Sequence, residues 1–237
     1  IVLVAGWSGN TTGTGPAWDV QYGTSGTDYC DPEILFAAMG DFNSCGDFGN
    51  NGKTISIGSG SQSSAVRVGT RSGETILAAH GIVLNGSTGT ANAAAQIGFY
   101  GNGSAITSDI ALHLREGGLT LSGGTTDSYA QVGHGGKGAT SSTVTADIDI
   151  TFCAPGAVLL DGGTGTDAYT QIGHGGRSVG GTKTGDIRIG GAGSSATAGA
   201  VSLLGGSGTG TYAFVGNGGL AASGTVNGDI EIRSAGL

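Results

Sequence analysis

The sequence is poor in the residues that build ordinary mixed folds. It has 3 prolines and 1 methionine in 237 residues, and only 11% of it is charged. Three prolines beside 52 glycines exclude a collagen-like triple helix, which also needs glycine at every third position. No apolar run approaches the ~20 residues of a membrane-crossing helix, so no transmembrane segment is expected. Basic residues are scarce, 9 against 17 acidic, for a net charge of −8. No basic patch is available to neutralise phosphates, which excludes nucleic acid as a partner. Cysteine numbers 3, so one thiol stays out of any intramolecular pairing. The chain starts at Ile1 without a methionine or signal peptide and ends at GDIEIRSAGL, partway into a new repeat. A processed piece or a section of something longer is expected.

What is present argues against disorder. Apolar residues make up 37% of the chain, and the aliphatics alternate with polar residues in short runs. Three motifs recur. The first is LTLSGG (119–124), VLLDGG (158–163) and VSLLGG (201–206), with IVLNG (82–86) earlier. The second is AAAQIGFYGN (93–102), SYAQVGHGG (128–136), AYTQIGHGG (168–176) and TYAFVGNGG (211–219). The third is SDIALHL (108–114), ADIDI (146–150), GDIRI (185–189) and GDIEI (228–232). TISIG (54–58) and AVRVG (65–69) look like degenerate early copies of the third and second motifs, and IVLVAG (1–6) like one of the first. Asp147, Leu160, Gly173 and Asp186 mark successive motifs in steps of 13 residues. Asp109, Asp147, Asp186 and Asp229 are separated by 38, 39 and 43. A period in this range is the mark of a repeat architecture.

Alternation gives each run one apolar face. Ile110, Ile148, Ile187 and Ile230 share parity with Leu112, Ile150, Ile189 and Ile232, so this side is expected to face inward. Ala111, Asp149, Arg188 and Glu231 take the water side. Tyr129, Tyr169 and Tyr212 fall on the outward parity, with Gln131 and Gln171 two residues later. A single copy cannot bury its apolar faces, whereas stacked copies can. The expected fold is all-β, a parallel β-solenoid, because equivalent residues at equivalent positions are what in-register stacking rewards. An antiparallel meander or sandwich of the same strands is the alternative. Whether one turn takes the full period or half of it stays open at this point.

Residues 1–6 read as the first solenoid strand, 7–50 as an insertion and 51–237 as the glycine-rich repeats. The insertion holds 7 of the chain's 14 aromatics, together with Cys30 and Cys45. DPEILFAAMG (31–40) predicts a helix, with Asp31 as cap, Pro32 in the first turn and Gly40 as stop. A Cys30–Cys45 disulfide is expected, with Cys153 left over. It closes a short loop worth roughly 3 kcal/mol and favours an extracellular setting. A long excursion from a regular repeat suits either a contact surface or a small satellite core. For the contact role the candidates are Trp18, Tyr22, Tyr29 and Phe36.

Signals for chemistry are thin. GGTGTDAYT (162–170) fits a calcium-binding nonapeptide, with Asp167 as ligand. Tandem copies are needed and the neighbours depart from the pattern, so the expectation is no cofactor, with calcium as the outside alternative. The four aspartates Asp109, Asp147, Asp186 and Asp229 would form a column with ~4.8 Å spacing. Such a column must be wet, hydrogen-bonded to N–H groups or partly neutralised by a cation; the simplest role is that each aspartate caps its own turn. Tyr129, Tyr169 and Tyr212 would form a second column, a stacked ladder. His134 and His174 occupy equivalent positions, but no third ligand recurs with them. No catalytic pairing of nucleophile and base, or of acid and base, is visible.

In YAQVGHGG, YTQIGHGG and GDIRI the chain resembles the repeats of large bacterial exoproteins related to filamentous haemagglutinin. The resemblance covers residues 51–237, with IVLVAG as an outlying piece. It implies a secreted, right-handed parallel β-helix serving as an adhesin or surface fibre. The expected function is therefore a non-enzymatic extracellular filament section or adhesin. Its partners would be copies of itself, adjoining repeats, or a surface receptor or glycan. The alternative is a polysaccharide-binding or polysaccharide-cleaving module of fibre or tailspike type.

Overall fold

A computed structural model describes residues 2–4, 54–58, 60–190 and 197–236 of the chain. These residues are all-β; no helix occurs among them. They form four sheets, of ten, five, three and two strands, and all the strand pairing is parallel.

The third and first motifs build the ten-stranded sheet. In Asp109–Ser122 the two motifs run end to end as one strand. Its first half pairs with Ile148–Phe152 and its second half with Val158–Asp161. Pairing then passes from Ile148–Phe152 to Ile187–Ile189 to Ile230–Ile232, and from Val158–Asp161 to Ala198–Leu204. The second motif builds the five-stranded sheet: Val66–Val68, Ala95–Ile97, Ala130–Val132, Thr170–Ile172 and Ala213–Val215. The sequence read no strands between the second and third motifs. The structure has short ones there, Val144–Thr145, Lys183–Thr184 and Val226–Asn227, in a sheet of their own.

In the five- and three-stranded sheets and through most of the ten-stranded one, pairing joins a residue to its equivalent in the neighbouring copy. Thr54–Ile57 pairs with the first motif at 81–84 and Val2–Val4 with the third-motif position at 76–78, which reverses the two sequence assignments because register follows the apolar face and not sequence likeness. Thr75, Ile110, Ile148, Ile187 and Ile230 follow one another across the ten-stranded sheet, at separations of 35, 38, 39 and 43 residues. The chain therefore takes the whole period to come back to the same sheet, not half of it. In-register pairing keeps each apolar side chain on its own kind. Ile110, Leu112, Ile148, Ile150, Ile187 and Ile189 are buried against Ile97, Val132 and Ile172 of the five-stranded sheet in one continuous cluster. Each such side chain contributes roughly 1.5–3 kcal/mol by leaving water. Ile230 and Ile232 share this parity but are 52% and 38% exposed, because no further copy lies over them.

Glycine serves close approach as much as turning. Gly133 and Gly173 have φ of 146° and 147°. A Cβ on Gly133 would run into the carbonyl oxygen of Gly173, and one on Gly173 into that of Gly216. Successive copies touch there backbone to backbone, a contact only glycine permits.

Candidate functional site

Polar side chains that recur in the sequence meet in columns between the copies. The aspartates form the first. The Asp147 N–H donates to Asp109 Oδ1 at 2.8 Å, the Asp186 N–H to Asp147 Oδ1 at 2.8 Å, and the Asp229 N–H to Asp186 Oδ1 at 2.9 Å. Each carboxylate thus caps the next copy's strand and not its own turn, which corrects the simplest sequence reading. Arg188 lies over the column, with Nη2 2.6 Å from Asp186 and Nη1 3.4 Å from both Asp147 and Asp149. Like charges one strand apart are held by N–H donors, a guanidinium and partial exposure.

The tyrosines stand on the side away from the aliphatic core, as their parity implies, but that side is not wet. Tyr129, Tyr169 and Tyr212 stack with ring centroids 4.8 Å apart at each step, and Tyr129 and Tyr169 are buried. Alternation tells which side of a strand faces the aliphatic core, but not what covers the other side. Here the returning chain covers it: a Cβ on Gly136 would strike both the Tyr129 hydroxyl and the Tyr100 ring. Buried glutamines complete this second core. Gln96, Gln131 and Gln171 each donate from Nε2 to a glycine carbonyl of the following copy (Gly133, Gly173 and Gly216) at 2.8, 3.0 and 2.9 Å. The hydroxyls of Tyr129 and Tyr169 donate back to the preceding glutamine's Oε1 at 3.4 and 3.2 Å. Burial raises the pKa of both phenols, so they stay protonated donors.

The third column is His134, His174 and Asn217. The imidazoles stack 5.0 Å apart and are buried. Nδ1 of His134 accepts from the Phe99 N–H at 2.9 Å, and Nδ1 of His174 from the His134 N–H at 3.1 Å. Nε2 of each ring donates to a carbonyl, Ser108 O at 2.5 Å and Ala146 O at 2.9 Å. Asn217 repeats the pattern: Oδ1 accepts from the His174 N–H at 2.9 Å and Nδ2 donates to Gly185 O at 2.8 Å. Both nitrogens of each ring are therefore occupied by backbone, and the rings must be neutral to make these bonds. Burial pushes His134 down to about 4. Burial, with the neighbouring His134 ring, pushes His174 down to about 3. No lone pair is left for a metal.

Asp167 does not fit calcium. Its carboxylate is paired with the Arg177 guanidinium and lies 3.1 Å from Lys137 Nζ, which also pairs with Asp127. Two cations already neutralise the carboxylate, and among the described residues no group of three or more His, Cys, Asp or Glu gathers. Sequence reading missed Lys183. It occupies an aliphatic position, with Val144 and Val226 as its partners in register. It is buried, and its ammonium donates to the carbonyls of Val179, Gly180, Gly181 and Ser223 at 3.1, 2.8, 2.8 and 3.2 Å. A lone lysine in a valine column is a visible signal, but its carbonyl partners come from turns no periodicity describes.

Trp18, Tyr22, Tyr29 and Phe36, the 31–40 helix and the Cys30–Cys45 pairing lie outside the described residues. Cys153 lies within them, directly after Ile148–Phe152. The columns bring Asp109, Asp147, Asp186 and Asp229 together along one edge, and the tyrosines, glutamines and histidines together in the interior. Their chemistry is cohesion between copies. No protein-family model, curated protein or solved structure matches this chain.

Proposed function

We propose that the copies are successive coils of a right-handed β-solenoid, and that the chain is a non-enzymatic extracellular protein, a structural section of a bacterial surface filament or an adhesin. One observation carries this reading: the polar side chains that recur, Asp147, Gln131 and His174 among them, spend their hydrogen bonds on the neighbouring copy. Repeated chemistry of that kind makes a stiff body and leaves function to surface. The filamentous-haemagglutinin resemblance of YTQIGHGG and GDIRI points the same way. Segment 7–50, with Trp18, Tyr22, Tyr29 and Phe36, is the proposed contact region for a receptor or glycan.

The test is retention of chain-coated beads on epithelial monolayers and on a glycan array. Removal of residues 8–49 should bring retention to background, and Trp18→Ala/Tyr22→Ala in the full chain should lower it. Equal retention by these variants sinks the contact assignment. Release of reducing ends from a panel of acidic polysaccharides sinks the non-enzymatic reading.

A further inference from the structure

The tripeptide Asn-Gly-Ser occurs twice, at 85–87 and at 102–104. It is an Asn-X-Ser/Thr sequence, the acceptor for attachment of sugar to an asparagine amide. A third, Asn10-Thr11-Thr12, lies outside the described residues. The tripeptide alone decides nothing, because transfer also needs its amide and its hydroxyl within reach of an enzyme. The fold treats the two copies of Asn-Gly-Ser in opposite ways.

At 85–87 the tripeptide is locked between repeats. Asn85 ends the strand Glu74–Asn85 and pairs in register with Ser122. The Gly86 N–H donates to Ser122 O at 2.8 Å, and a Cβ on Gly86 would strike Ser128 O of the next repeat. Ser87 is buried and its hydroxyl is engaged: it donates to Gly60 O at 3.3 Å and accepts from the Thr90 N–H at 3.0 Å. An enzyme cannot take hold of this amide and hydroxyl without opening the stack. At 102–104 the same three residues form a surface turn. Tyr100–Asn102 pairs with Gly135–Thr140, and the register shifts so that Asn102 stands opposite Thr140. The Ser104 N–H donates to Asn102 Oδ1 at 3.3 Å, which is an Asx-turn. Gly103 has φ 89°, and its N–H donates to Ser142 Oγ at 3.1 Å, which ties the turn to the next repeat. Asn102 and Gly103 are exposed and Ser104 is half-buried. Among the described residues, neither Asn102 Nδ2 nor the Ser104 hydroxyl has a hydrogen-bond partner. The turn leaves free the nitrogen that would receive a sugar and the hydroxyl that the acceptor sequence requires.

We propose that Asn102 is an N-glycosylation site that takes its sugar from a glycosyl diphosphate donor. Nδ2 bonds to the anomeric carbon as the bond from that carbon to the diphosphate oxygen breaks. The diphosphate leaves, and the proton lost from Nδ2 passes to a base of the transferase. The site needs only a folded, exposed turn and stands whether or not the chain adheres to anything. Mass spectrometry of tryptic peptide 72–115, from the protein isolated from the cells that make it, tests this directly. Electron-transfer fragmentation separates the two asparagines, and sugar is expected on Asn102 with none on Asn85. A lone hexose identifies a nucleotide-sugar donor; a preassembled oligosaccharide identifies a lipid-linked one. In vitro, the purified chain with UDP-glucose and a soluble transferase for Asn-X-Ser/Thr should gain hexose at Asn102 and not at Asn85. Synthetic peptides 81–91 and 98–108, free of the fold, should both gain it. Ser104→Ala should abolish transfer to the chain, with far-UV circular dichroism checking that the variant is folded. A bare Asn102 in the native protein, or hexose on Asn85 of the folded chain as readily as on Asn102, overturns the proposal.

Discussion

Acid should loosen this protein through two side chains. His134 and His174 are neutral in the ladder, with folded-state values near 4 and 3, whereas an unfolded histidine titrates near 6.5. The folded values are depressed, so between the two limits the unfolded chain binds more protons than the folded one. Stability from this source is therefore full above about pH 6.5 and falls as the pH drops. Each histidine loses about 1.4 kcal/mol per pH unit, until the fall levels off near pH 4 for His134 and near 3 for His174. At pH 5 the pair together has lost about 4 kcal/mol, a large share of the roughly 5–15 kcal/mol that holds a domain together. Charged or titratable neighbours do little to offset this: Asp109 favours the His134 cation, but for His174 the facing titratable group is His134 itself. Asn217 shows how to remove the titration and keep the bonds, since its amide makes both contacts that the rings make. Urea denaturation of the wild type and of His134→Asn/His174→Asn, followed by far-UV circular dichroism from pH 7.5 to 4.5, measures the difference. The wild type should lose stability steeply and the double variant much less. Parallel pH profiles for the two proteins would refute the ladder, as would imidazole resonances titrating near 6.5.

Three further substitutions probe the contact between copies and the turn around Lys183. Gly173→Ala sets a methyl against the Gly216 carbonyl at φ 147° and should cost about 3 kcal/mol or more, whereas Gly138→Ala, at φ 64° with open space around it, should cost about 1; equal thermal shifts would contradict the backbone contact. Lys183→Met keeps the buried stem but removes the ammonium from four carbonyls, of which that of Val179 still accepts from the Ser223 N–H, for an expected loss of about 2–4 kcal/mol in urea midpoint experiments. An unchanged midpoint would mean that water replaces the ammonium without loss.

Much of the strand pattern was legible. Ile110, Ile148, Ile187 and Ile230 are equivalent in sequence and are partners in register, because a repeated isoleucine is buried most completely against its own copy. The columns were legible only as lists. Asp109, Asp147, Asp186 and Asp229 could be named, but the direction of their bonds depends on how a strand start sits over its neighbour. The tyrosines lie on the side their parity implies, but their burial was not legible for a related reason: a period of two has only two sides, and whether the second is wet is settled by chain that returns from elsewhere.

By itself the sequence determined the repeat, its length, the strand positions and which side chains stand in line, since these follow from spacing and parity along the chain. Tertiary structure alone decided that Tyr169, Gln131 and His174 are buried, that the imidazoles are neutral and that Lys183 is held by four carbonyls. The partners of the tyrosine, glutamine and histidine lie 28 to 42 residues away and those of Lys183 mostly in its own turn, and alternation within one strand carries no record of either.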